Sequence, residues 1–182
     1  METAEKIQTE VKPPDINLKR GGLHTISVFV ANRPGVLVRT ALVFARRGFN
    51  IESLVVSPAL DGHYSRMTIT SHGDPETLDQ IIKQVGKLID VLHVTDHTEQ
   101  DIIEKEMALI KLSATPAKRP EIMLLVDHFK AQTVDFTEDS IIIQVTGNTP
   151  KLDSFIEMLK KYDIIELVRT GKVVIVRGKE KT

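Results

Sequence analysis

Cysteine and tryptophan are absent from this chain, and aromatic residues make up only 4% of it. Without cysteine there is no disulfide, no thiolate zinc site and no thiol nucleophile, a composition compatible with a reducing interior. With so few aromatic rings, the core has to be built from Val, Ile, Leu and Met, within a hydrophobic share of 41%. Charge of one sign is also missing: the formal net charge is -1, so no global field draws in nucleic acid or an anionic membrane. No apolar run approaches the roughly 20 residues that span a bilayer. The first 22 residues hold three glutamates, an aspartate and the pair Pro13-Pro14, but no apolar signal core. They read as a loose tail on a cytoplasmic protein.

What is present is a regular alternation of short elements. His24 to Ala31 alternates as a strand, with Ile26, Val28 and Val30 on one face. Val36 to Arg47 has helical spacing, with Leu37, Ala41, Phe44 and Ala45 as the apolar face and Gly48 as the stop. Ile51 to Val56 and Tyr64 to Thr70 are strands joined through Asp61-Gly62. Asp74-Pro75 reads as helix cap plus first helical residue, ahead of Leu78, Ile81, Ile82 and Val85. Ile89 to Val94 closes the series as a strand.

The same order returns after Asp96 to Lys105, a polar stretch that reads as a joint. Met107 to Ser113 is a strand, and Pro120 opens a helix bearing Ile122, Leu125, Val126 and Phe129. Thr133 to Phe136 and Ser140 to Thr146 form a hairpin, and Thr149-Pro150 starts a helix with Leu152, Phe155, Ile156 and Leu159. Ile164 to Arg169 and a short strand, Val173 to Val176, end the pattern. The period of about 80 residues exceeds that of solenoid repeats. The fold class is therefore α+β, two tandem ferredoxin-like βαββαβ units with antiparallel sheets and helices on one face. The expected division is a tail over 1–22, a first unit over 23–97, a linker over 98–106, a second unit over 107–178 and a tail over 179–182. One face of each sheet then needs covering or solvation. Ile51 to Val56 is largely apolar on both sides, which points to association with a second copy, most simply a homodimer.

The segment Asn32-Arg33-Pro34-Gly35-Val36-Leu37 carries the chemistry. It turns a strand into a helix. Pro34 fixes a backbone angle and Gly35 permits close approach to the backbone. The amides of Gly35, Val36 and Leu37 fall at a helix start, where donors lack intrahelical partners and the dipole favours negative charge. A carboxylate suits that place. The bland reading is a tight connection with no ligand. Asn50 alone is equally a turn residue after a helix. Arg33 and Arg39 flank the turn but read as solvated helix-face cations, as do Lys118-Arg119 and Lys160-Lys161. Asp90, His93, Asp96 and His97 resemble a metal set only on paper, because strand alternation splits them across faces. Ser53, Ser57 and Ser65 lack a histidine–carboxylate partner at any triad spacing, so no catalytic residue is assigned.

Three blocks carry a family resemblance. His24 to Leu37, Arg47-Gly48-Phe49-Asn50-Ile51-Glu52-Ser53-Leu54, and Ser65-Arg66-Met67-Thr68-Ile69 together resemble the small subunit of acetolactate synthase (acetohydroxyacid synthase). Gln80 to Val91, Glu104 to Lys111 and Gly147 to Asp153 extend it over roughly residues 23 to 178. The Asn-x-Pro-Gly turn alone indicates only an ACT domain, a common amino-acid-sensing module. The resemblance implies a non-catalytic regulatory subunit with an N-terminal ACT domain and a C-terminal ACT-like domain. Such a subunit binds and activates a catalytic large subunit in branched-chain amino acid biosynthesis and makes it sensitive to valine, leucine or isoleucine. Thiamine diphosphate, magnesium and FAD belong to that partner, and no cofactor or metal is expected in this chain.

Carried onto this sequence, Asn32 would hydrogen-bond the effector, with Pro34 shaping the turn. Gly35, Val36 and Leu37 would hold its carboxylate. Asn50 would reach it from the neighbouring protomer, and Ile51 would line its side-chain pocket. The second repeat reads Ser-Ala-Thr-Pro-Ala-Lys-Arg-Pro at the equivalent turn and lacks the motif. Two rival classes stay open. One is a stand-alone ACT sensor acting on another enzyme. The other is a small enzyme of acylphosphatase-like fold using Arg39, against which the duplication and the second-strand block argue.

Overall fold

The computed structural model describes residues 22–182, so the expected tail falls outside the described residues except for Gly22, which opens the first strand. The first unit runs β1 (Gly22–Ala31), α1 (Val36–Arg46), β2 (Ile51–Pro58), β3 (Tyr64–Gly73), α2 (Pro75–Val85) and β4 (Val91–Asp96). Its antiparallel sheet has the order β2-β3-β1-β4. The second unit runs β5 (Ile102–Ser113), α3 (Arg119–His128), β6 (Gln132–Phe136), β7 (Ser140–Gly147), α4 (Thr149–Leu159) and β8 (Ile164–Arg169), then β9 (Val173–Val176). Its sheet has the order β6-β7-β5-β8, with β9 paired to β5. The architecture is the expected pair of ferredoxin-like units.

Each unit has its own apolar core. Ile26, Val28, Phe44, Met67, Ile69, Leu78 and Ile81 fill the first, and Ile110, Leu112, Ile141, Ile143, Leu152 and Phe155 the second. Side-chain period makes this possible: alternate residues of β1 and β5 point to the helices. Helix starts follow their local signals. The Asp74 side chain accepts from the Thr77 amide at 2.8 Å with Pro75 at the first turn of α2. The Asn148 side chain caps α4 through the Lys151 amide at 3.3 Å.

Three expectations need correction. Of the expected stripe Leu37, Ala41, Phe44 and Ala45, α1 buries only Phe44, together with Val36, Thr40 and Val43, and leaves Leu37 41% and Val38 61% exposed. Val36 to Ala45 is apolar almost all round, so spacing does not choose the inward face. Thr40 tolerates it because its hydroxyl donates to the Val36 carbonyl at 3.0 Å. β4 starts at Val91 rather than Ile89, because the Val91 amide still closes a turn onto the Leu88 carbonyl. β5 starts at Ile102, inside the stretch read as a joint: Ile102 to Lys105 pairs with Val176 to Val173. That pairing is remote in sequence and leaves no local mark.

The face of the first sheet opposite its helices is rich in hydroxyls, yet Thr25, Ser27, Thr68 and Thr70 are buried. The end of the chain covers it. A Cβ on Gly171 would meet Ser53 and Val55 of β2, and Arg66 of β3 donates to the Thr182 carbonyl at 2.8 Å. β9 lies between those contacts, with Val174 buried. The need for cover at this face is met within the chain.

Candidate functional site

The site grows from the end of β1. The Ala31 amide bonds the Asp90 carbonyl and the Asn32 amide bonds the His63 carbonyl, each at 2.8 Å. The Asn32 side-chain amide donates to the Gly62 carbonyl at 3.0 Å, tying the turn to the β2–β3 hairpin. Its Oδ1 makes no hydrogen bond among the described residues and is free to receive a donor such as an ammonium. Pro34 follows, exposed. Gly35 stands immediately before α1 with φ 84° and ψ -11°, a left-handed conformation that glycine adopts without the Cβ clash.

No side chain caps this helix, and no acidic residue lies in its first turn. The Val36 amide reaches the Arg33 carbonyl only at 3.4 Å. The amides of Gly35 and Leu37 donate to no backbone carbonyl among the described residues. Two donors, Gly35 and Leu37, are thus left without a backbone partner at the positive end of a helix dipole, flanking the long Val36 bond. Above them lies Arg39, whose Nη1 is 2.9 Å from where a Gly35 Cβ would stand. Its guanidinium is ion-paired with the buried Asp90 carboxylate. Spacing places Arg39 one helical turn beyond Gly35, but its partner lies 51 residues on and escapes sequence reasoning. The cation so paired is no longer the free arginine that the acylphosphatase-like reading required.

Asn32, Pro34, Gly35, Val36 and Leu37 are brought together; Asn50 and Ile51 are not. Within one chain they sit at the far end of α1, 11 residues or roughly 16 Å away. Asn50 donates to Glu52 Oε1 at 3.0 Å, and its carbonyl accepts from the Ser71 hydroxyl at 2.7 Å. Ile51 packs partly against the first core.

The second unit repeats the frame without the cradle. The Ser113 amide bonds the Asp163 carbonyl at 2.9 Å and the Ala114 amide the Asp139 carbonyl at 2.8 Å, matching the Ala31 and Asn32 contacts. There Arg119, read from sequence as a solvated cation, turns inward instead. It donates to the Ala114 and Thr137 carbonyls at 3.1 and 2.9 Å and to the Glu138 carbonyl, and covers the Phe136 ring at 4.7 Å. Arg119 thereby ties its turn to the β6–β7 hairpin as Asn32 ties the first turn to the β2–β3 hairpin, and the Lys118 and Arg119 amides already donate to the Thr115 carbonyl.

The suspected metal set disperses. Asp90 holds Arg39, His93 bonds Thr95, Asp96 bonds Thr98, and His97 lies between Ser27 and Gln100. No group of three or more metal-suited side chains occurs among the described residues, and no helix there is long and apolar enough to cross a membrane.

A cluster that sequence reasoning missed lies between the units. Arg169 donates to Glu106 and to Asp153, both at 2.6 Å, and Thr149 donates to Glu106. Burial pulls the Arg169 guanidinium down, but its bonds to Glu106 and Asp153 outweigh this and leave it raised. The cluster borders a cleft of about 490 Å³ that also reaches Ser53, Thr70 and His72 of the first unit. Its members come from β5, α4 and β8, so no local spacing announces it.

A family described as the small subunit of acetolactate synthase matches residues 105–178, and an AHAS small subunit-like ACT domain matches residues 26–93. The chain is 49% identical over 158 residues to a probable acetolactate synthase small subunit of Archaeoglobus fulgidus, covering 87% of this chain and 99% of that protein. It is 43% identical over 157 residues to the acetolactate synthase small subunit of Bacillus subtilis, covering 86% and 91%. The crystal structure of the acetolactate synthase small subunit from Thermotoga maritima superposes with a TM-score of 0.79 at 37% identity, covering 87% of this chain and 99% of that one.

Proposed function

This chain belongs to the family of acetolactate synthase small subunits, and from that premise we propose that it is a cytoplasmic regulatory subunit. It binds and activates a catalytic large subunit and imposes feedback inhibition when valine, or leucine or isoleucine, occupies the turn Asn32 to Leu37. The observation that carries this is the uncapped start of α1: a left-handed glycine, Gly35 and Leu37 amides without a backbone partner among the described residues, a long Val36 bond and no acid in the first turn. An effector carboxylate would accept from Gly35, Val36 and Leu37, and its ammonium would donate to Asn32 Oδ1.

Completing the site takes a second copy. β2 is the edge strand of the first sheet, paired on one side by β3. β1 and β2 both run antiparallel to β3, so β2 ends at the side where α1 begins. Two β2 edges joined antiparallel about a two-fold axis would therefore carry the partner's Asn50 and Ile51 toward this chain's Gly35. The exposed Leu37, Val38 and Leu42 of α1 would be covered in the same contact. A ligand shared by two protomers couples its occupancy to their relative position. In the second unit the Lys118 and Arg119 amides already donate to the Thr115 carbonyl, so one effector site per chain is expected.

The energies suffice. Charge-assisted hydrogen bonds contribute about 1.5–3 kcal/mol each. Burial of an isopropyl group adds about 1.5–3 kcal/mol. After the entropic cost of capture, about -4 to -8 kcal/mol remains, millimolar to micromolar affinity. The test is co-purification with the cognate catalytic subunit and assay of acetolactate formation with and without valine. Activation together with inhibition by millimolar valine is expected; an unchanged rate in both arms refutes the reading. A division into two units with the joint between Asp96 and Ile102 belongs to the same proposal and is checked by limited proteolysis near residue 100.

A further inference from the structure

We infer that the turn Thr170–Lys172 is the contact through which the second unit senses the position of β2, with Gly171 as the coupling residue. This rests on the effector reading, which makes Asn50 and Ile51, at the head of β2, one wall of the site.

The turn is rigidly anchored in the second unit. The Thr170 amide donates to the Met107 carbonyl at 2.9 Å and the Met107 amide to Thr170 Oγ1 at 3.0 Å. Arg169 before it is held by Glu106 and Asp153, and Lys172 after it by Glu104 at 2.7 Å. Its tip touches the first unit. A Cβ on Gly171 would lie 2.9 Å from both Ser53 Oγ and Val55 Cγ2 and 3.0 Å from Ser53 Cβ. None of these atoms is the free end of a long side chain, so any residue other than glycine presses on the short side chains of β2.

β2 is suited to transmit a displacement. Its pairing with β3 slips between Ile51 and Ser53, so a bulge separates the head of the strand from the regular ladder. Ser53, the first residue past the bulge, bonds Thr70 at 2.6 Å and meets Gly171. The hydroxyl residues Thr25, Ser27, Thr68 and Thr70 are buried on the sheet face that the second unit covers, beside Val55 and Val174. Polar contacts between domains hold weakly and permit relative motion. A shift of β2 on effector capture thus presses on a rigid turn in a weakly docked unit.

The test uses the full chain and valine as probe, with binding followed by calorimetry, amide hydrogen exchange followed at Val173 to Val176, and inhibition measured with the catalytic subunit. In the wild type, valine should change exchange in β9 by about fivefold or more, a typical coupling. Gly171→Ala should bind valine with affinity within about threefold of the wild type, while β9 exchange no longer responds and inhibition is lost. Adding Ser53→Gly and Val55→Ala to Gly171→Ala, which makes room for the new methyl, should restore the response. Val55→Ala alone opens the contact without adding an atom and should weaken the response in a chain that folds normally. A full response in Gly171→Ala, or in the wild type binding without any change at β9, overturns the coupling alone. No valine heat in the wild type overturns the effector reading, and the coupling with it.

Discussion

Replacing Gly35 by Asp puts a carboxylate where the effector's is proposed to bind. The left-handed backbone at φ 84° costs an L-residue about 1–2 kcal/mol, with Asp among the residues that adopt it most readily. The new Cβ meets only Arg39 Nη1, at the end of a long side chain whose Nη2 stays on Asp90, so a small shift of the guanidinium admits the added carboxylate beside it. Negative charge at the head of α1 returns about 0.3–1 kcal/mol through the dipole. The net loss of stability should therefore be about 1 kcal/mol, and the chain should fold. The effector suffers far more. Losing two charge-assisted hydrogen bonds at about 1.5–3 kcal/mol each weakens binding by about 100- to 10,000-fold. Valine titration by calorimetry reads this directly, with thermal melting as the control for folding. Activation of the catalytic subunit should survive while valine sensitivity disappears. If Gly35→Asp is folded and binds valine within about threefold of the wild type, the cradle is not the site.

Other substitutions probe the fold that holds the site. Gly73→Ala would drive a Cβ into the Phe49 ring, which packs partly against the first core, and overpacking of this kind should cost about 1–3 kcal/mol in urea unfolding. Ile110→Ala, fully buried at the centre of the second core, should cost about 2–5 kcal/mol by the same measurement. Asp74→Ala should lower the melting temperature at neutral pH, since the Thr77 amide holds the Asp74 carboxyl below its ordinary range and α2 loses its cap. A carboxyl depressed on folding contributes its stability above the unfolded pKa and loses it as pH falls through the folded one. The gap between Asp74→Ala and the wild type should therefore narrow on acidification below the ordinary carboxylate range, as melting curves along a pH series would record.

The βαββαβ order was legible twice because its punctuation is local: Asp74-Pro75 and Thr149-Pro150 open helices, and Asp61-Gly62 turns a hairpin. Features resting on distant partners were not legible. Ile102 to Lys105 looked like a joint because its strand partner, Val173 to Val176, lies some 70 residues on. The inward face of α1 was misread because nearly every position from Val36 to Ala45 is apolar. The site divides the same way. Asn32 to Leu37 is contiguous, so its chemistry could be read directly, whereas Arg39's commitment to Asp90 and Arg119's inward turn depend on tertiary neighbours. Asn50 and Ile51 came from the family resemblance alone, and one chain does not bring them to the turn.

The most direct test of the central claim is a crystal structure of the full chain grown with valine. The account predicts density for a valine carboxylate within hydrogen-bonding distance of the Gly35, Val36 and Leu37 amides, with Asn50 contributed by a second copy across paired β2 edges. Valine bound elsewhere, or a cradle occupied by the protein's own side chains at saturating valine, would contradict it.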